Sequence, residues 1–118
     1  MLLFTAFLGL FSKSCETPLA CNIAALSPAE RQRHFVELGP ALAAARTGVS
    51  ELPDGYEFRF PSDHKTVAML LEWIEQERRC CPFFDIAVHF APNGGDVSVR
   101  ITGPAGTKGV IDGAIARR

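Results

Sequence analysis

Along the chain the hydrophobic pattern switches period several times, and each switch marks an element. Residues 28 to 46 carry apolar side chains at helical spacing, with Phe35, Leu38 and Leu42 on one face. Ser27 stands as N-cap, Pro28 at the first helical position, and Glu30 where it can close a capping box with Ser27, so the helix starts near Pro28. Gly39-Pro40 interrupts the hydrogen-bond ladder, which predicts a kink or restart before an end near Arg46. From Gly48 the period becomes two. In "GVSELPDGYEFRF" a Pro-Asp-Gly turn separates a short strand from one in which Tyr56, Phe58 and Phe60 alternate with Glu57 and Arg59.

Ser62 or Asp63 then caps a second helix, "HKTVAMLLEWIEQERR", with Val67, Leu70, Leu71 and Ile74 as its predicted buried stripe. Helical spacing carries Arg78 and Cys81 toward the same side, with Glu77 at the margin. Pro82 disfavours helical geometry at Cys81, so the adjacent pair Cys80-Cys81 straddles a helix-to-strand corner. Phe84, Ile86, Val88 and Phe90 form one face of the next strand, "PNGG" supplies a turn, and Val97, Val99 and Ile101 return. A last helix is predicted from Pro104, with Val110, Ile111, Ala114 and Ile115 inward.

The order αββαββα predicts an α+β two-layer sandwich: a four-stranded antiparallel sheet with its helices on one face, a permuted ferredoxin-like arrangement. The opposite face would carry Glu57, Arg59, Asp85, His89, Ser98 and Arg100, polar enough for solvent and suited to a wet homodimer interface. At 118 residues the chain holds one core. We divide it into an N-terminal extension, 1–19, and a single domain, 20–118. The formal net charge of -1 offers no general attraction for nucleic acid or an anionic membrane. The apolar run over residues 1 to 11 falls short of the ~20 residues that span a bilayer. It has the character of a secretory h-region but lacks a basic residue ahead of it, so the expected location is cytoplasmic, with export and a mis-called start codon as the competing accounts of this segment.

The candidate chemistry lies in "EQERRCCPFF". Cys15, Cys21, Cys80 and Cys81 do not form the dispersed framework of a small secreted scaffold and are expected to be mostly reduced. A thiolate is a soft donor for thiophilic ions. Arg78 and Arg79 favour the thiolate, whereas the negative C-terminal end of the helix disfavours it. Adjacent side chains diverge, so two- or three-coordinate binding suits this pair better than a closed tetrahedral zinc site. Cys21 becomes the third thiolate if the chain entering the first helix packs at the corner; Glu77, His34 and His64 are weaker additional ligands. Two other readings stand beside this one. The thiols can be redox-active, through a Cys80–Cys81 or a Cys21-containing disulfide. They can equally be small buried residues packing Pro82, Phe83 and Phe84, in a module that binds a small molecule or protein through its polar sheet face. Cysteine nucleophile catalysis finds no histidine placed beside a thiol by the linear sequence. "TGPAGTK" lacks the full phosphate-loop pattern and reads as a turn and helix start, and His89 reads as a solvated strand residue.

Taken together, "CNIAALSPAERQRH", "LPDGYEFRF", "EWIEQERRCCPFF" and "VRITGPAGTKGVI" resemble a group of small bacterial proteins of CCPFF/TGPxGxK type, without an established function and associated with heavy-metal resistance contexts. The resemblance spans about residues 20 to 115 and implies that Cys21, Glu77, Cys80 and Cys81 are the positions to test. The expectation is a small binding protein for a soft metal or metalloid ion rather than an enzyme, with a homodimer as its assembly.

Overall fold

The computed structural model describes residues 19–113. The extension, Cys15, and the last-helix positions Ala114 and Ile115 lie outside the described residues. After a 3-10 turn at Ile23–Ala25, the first helical segment α1 starts as Pro28–Arg31, widens into π geometry over Gln32–Leu38, and returns to α geometry over Gly39–Ala45. The predicted capping box is present: Ser27 Oγ accepts from the Glu30 amide at 3.1 Å, and the Glu30 carboxylate accepts from the Ser27 amide at 2.9 Å. Strand β1 (Gly48–Leu52), strand β2 (Gly55–Phe60), helix α2 (His64–Cys80), strand β3 (Asp85–Phe90), strand β4 (Val97–Thr102) and helix α3 (Thr107–Ile111) follow.

The π segment is the local answer to Gly39-Pro40. Pro40 cannot donate to the Val36 carbonyl, and the Gly39 amide reaches back five residues to the His34 carbonyl. A wider turn keeps residues four apart on one face but rotates residues three apart away from each other. Hence His34, Leu38 and Leu42 turn inward, at 1%, 0% and 5% exposure. Phe35, expected on that face, is 38% exposed.

The strands form one antiparallel sheet in the order β1-β2-β4-β3. Strands β2 and β3 run parallel with β4 between them, so β2-α2-β3 is a split crossover, as a permuted ferredoxin-like arrangement requires. Phe58, Phe60, Val97, Val99 and Ile101 project from one face onto Leu42 of α1, Leu70 of α2 and Ile111 of α3. The two-layer α+β sandwich is therefore the fold. Sheet register places Glu57 opposite Arg100, where they pair at 3.1 Å, and aligns Arg59, Ser98 and His89 across the other face, which is polar as expected.

Two inward assignments and one helix boundary need correction. Leu71 is 48% exposed because the buried stripe of α2 runs instead through Thr66, Leu70, Glu77 and Cys80. Phe90 is 53% exposed, since it ends the edge strand β3. Helix α3 starts at Thr107 rather than Pro104, because Gly106 at φ 100 is in the left-handed region and the Thr107 hydroxyl donates to the Pro104 carbonyl at 2.6 Å. The PNGG turn is as read, with Asn93 at φ 59 and Gly94 at φ 71.

Gly55 opens β2 against the backbone of β4, and a Cβ there would fall inside the van der Waals envelope of the Ile101 carbonyl oxygen. Gly55→Ala should therefore cost about 2–3 kcal/mol, in the upper range for overpacking. The denaturant midpoint reads this directly, and a variant as stable as the parent would show that the two strands are further apart than described.

Candidate functional site

The corner after α2 is built by three local devices. Pro82 holds Cys81 out of the helix, at φ -120 and ψ 76, while Cys80 remains its last helical residue. The Cys81 amide donates to the Glu77 carbonyl at 2.7 Å. A helix end leaves carbonyls without partners, and the Asn22 amide takes one of them, the Cys80 carbonyl, at 2.7 Å. That bond sets Cys21 against the corner. Arg79 strengthens the same junction by bonding Glu30 of α1 at 2.6 Å and Glu75 at 2.9 Å. Arg79 and then the Ser27 amide pull the Glu30 carboxyl down to about 2.

The sulfur atoms of Cys21, Cys80 and Cys81 all lie within 4.8 Å of one another. Cys21 and Cys81 form a disulfide across a sequence separation of 60, with their Cα atoms 4.4 Å apart. Cys80 is the free thiol among the described residues. Cys80 and Cys81 are each 1% exposed, enclosed by Leu26, Phe83 and Phe84. The expectation of mostly reduced cysteines thus meets one oxidised pair, and that pair is the Cys21-containing one.

Thiolate activation by the neighbouring arginines does not materialise. Arg78 is exposed and Arg79 is occupied by Glu30 and Glu75. Burial, and secondarily the Glu77 charge, push the Cys80 thiol up. At neutral pH Cys80 is a protonated, enclosed thiol and a weak nucleophile.

Glu77 stands beside the sulfur cluster. One carboxylate oxygen lies 3.3 Å from Cys81 Sγ, and the other meets His34 Nε2 at 2.5 Å. His34 Nδ1 in turn meets Gln76 Oε1 at 2.9 Å. Gln76, Glu77 and His34 are all buried. In the disulfide Cys81 Sγ carries no hydrogen. Reduction would supply an S–H able to donate to that Glu77 oxygen.

Sequence reasoning offers His34 only as a weak ligand, and the structure pairs it instead with Glu77 and Gln76. The available signal was its spacing of four to Leu38 and eight to Leu42, a polar residue continuing an apolar stripe. His34 also stacks on Trp73, with ring centroids 5.4 Å apart and planes 8° apart. Behind this pair, a cavity of about 70 Å³ opens between α1, α2 and the sheet, lined by His34, Phe35, Leu42, Phe58, Trp73 and Glu77 among others. His64 opens α2 as an exposed residue, at the end of the helix opposite the cysteines. In "TGPAGTK", Lys108 is paired with Glu51 and the Thr107 side chain is committed to its own turn.

No family model, curated protein or solved structure matches the chain. Among the described residues no helix is long and apolar enough to cross a membrane. What the site offers chemically is read from its atoms: three convergent soft donors that can be joined by a disulfide or bridged by an ion.

Proposed function

We propose that the protein binds a soft metal or metalloid ion through Cys21, Cys80 and Cys81 in their reduced form, and that the Cys21–Cys81 disulfide is the closed state of the same site. The observation that carries this reading is the meeting of three sulfurs within 4.8 Å, two of them buried and the third, half-buried Cys21, from a segment remote in sequence. Packing alone would be served by any small apolar side chains. Sulfur at all three positions is what a thiophilic ion requires.

Oxidation removes two of the three donors. Opening the site takes two electrons and two protons, supplied by a dithiol reductant, and yields the Cys21 and Cys81 thiols. The reading accordingly places the protein in a reducing cytoplasm. It also keeps the likeness to bacterial proteins of heavy-metal resistance contexts as part of the proposal.

The second reading is thiol redox function, favoured by the Cys21–Cys81 disulfide itself. One preparation separates the two. The protein is purified anaerobically without chelators, and native mass, bound elements and free thiols are measured together. A stoichiometric soft ion that is lost in the Cys80→Ser, Cys81→Ser double variant is the expected result. Ion-free protein that takes up no thiophilic ion after reduction, yet cycles reversibly between disulfide and thiols, would replace ion binding with redox function. The native mass tests the homodimer expected at the polar sheet face.

A further inference from the structure

We propose that the ion class this site selects is a trivalent metalloid in its hydroxide form, arsenite or antimonite, held as a neutral pyramidal tris-thiolate; the inference rests on the ion-binding reading above and narrows it. The first ground is the donor count. Among the described residues the mutual 4.8 Å group consists of the three sulfurs of Cys21, Cys80 and Cys81; the neighbouring Glu77 carboxylate, with one oxygen 3.3 Å from Cys81 Sγ, stands outside that group and is committed to His34 through its other oxygen. A metalloid(III) centre with a lone pair is complete with three sulfurs, whereas zinc seeks a fourth ligand.

The second ground is charge. Three thiolates around a trivalent centre are neutral; around a divalent ion they leave one negative charge, and around a monovalent ion two. This pocket is a poor place for an anion. Cys80 and Cys81 are each 1% exposed, and Leu26, Phe83 and Phe84 close the surroundings. The negative end of the α2 dipole faces the cluster, and a Glu77 oxygen lies 3.3 Å from Cys81 Sγ. Burying net charge there is costly, and burying a neutral complex is not.

The reaction matches these surroundings. Arsenite enters as uncharged As(OH)3. Each arsenic–oxygen bond is replaced by an arsenic–sulfur bond, and each thiol proton leaves with a hydroxide as water. Three thiols and one arsenite give one tris-thiolate and three waters, without oxidation, a required base or any change in net charge. The enclosed, unactivated Cys80 thiol is therefore no obstacle.

The test uses the full chain, reduced with a phosphine under argon and titrated separately with arsenite, cadmium(II) and zinc(II). One equivalent of arsenite should lower the free-thiol count from four, the number of cysteines in the chain, to one. X-ray absorption at the arsenic edge should show sulfur alone in the coordination sphere. Cys21→Ser should weaken arsenite by about a hundredfold or more, beyond what loss of a residue that merely supports a ligand costs. Glu77→Gln should leave arsenite within about threefold while tightening cadmium about tenfold or more, since only the cadmium complex carries charge for the carboxylate to repel. Cadmium occupying all three thiols more tightly than arsenite does would overturn the metalloid assignment and leave the ion-binding reading standing. Retention of none of the three ions would overturn both. Should Glu77→Gln not fold, the titrations of the parent chain still decide.

Discussion

Reducing the Cys21–Cys81 disulfide should lower the unfolding free energy by about 4 kcal/mol, because the bond closes a loop of sequence separation 60 and removes the corresponding entropy from the unfolded chain. Denaturant unfolding with and without a phosphine reads the difference. Cys21→Ser and Cys81→Ser should each fall to about the stability of the reduced parent, whereas Cys80→Ser should keep the crosslink and most of the stability. Equal midpoints for oxidised and reduced protein would mean that the corner is held by Leu26, Phe83 and the Asn22–Cys80 bond without covalent help. The consequence for function is direct. An ion bound by all three sulfurs ties the same two segments together and restores stability by mass action, so ion loading and oxidation should appear as alternative ways of stabilising one corner.

His34→Ala should cost about 3–5 kcal/mol, the range for breaking a buried pair by removing one partner. His34 is 1% exposed and Glu77 6%, and the truncation leaves the Glu77 carboxylate enclosed without its 2.5 Å contact. It also removes the ring stacked on Trp73. Replacing both residues at once, as His34→Leu with Glu77→Met, should be far less damaging than the sum of the single changes, because no stranded polar group remains. A double-mutant cycle in denaturant measures this coupling, and additive single effects would show that the two side chains do not interact. The intrinsic fluorescence of Trp73, the one tryptophan of the chain, should report loss of the histidine ring independently of stability.

Much of the fold was legible because its signals are local. The capping box at Ser27 and Glu30, the alternation of Tyr56, Phe58 and Phe60, and the Asn93-Gly94 turn each act within a few residues, and each appears where the sequence places it. The misplaced helical positions share one cause. Ideal helical spacing places Phe35, Leu71 and Arg78 inward, but the π segment re-phases α1, and α2 presents Glu77 rather than Arg78 to the interior. Ideal spacing carries no information about a register change forced by Gly39-Pro40, nor about which polar residue finds a buried partner. His34 and Glu77 are 43 positions apart, and neither alone announces the other.

The sequence by itself determined the element order, the sheet with one apolar and one polar face, and the corner that Pro82 imposes on Cys80 and Cys81. These follow from backbone sterics and side-chain period, which act over a few residues. Tertiary structure alone decided that Cys21 completes the cluster, that it bonds Cys81 rather than leaving Cys80 and Cys81 to pair, and that Glu77 is bound to His34 beside the sulfurs. Those outcomes depend on one backbone hydrogen bond from Asn22 to the end of α2 and on how α1 packs across it, distances that no local rule contains.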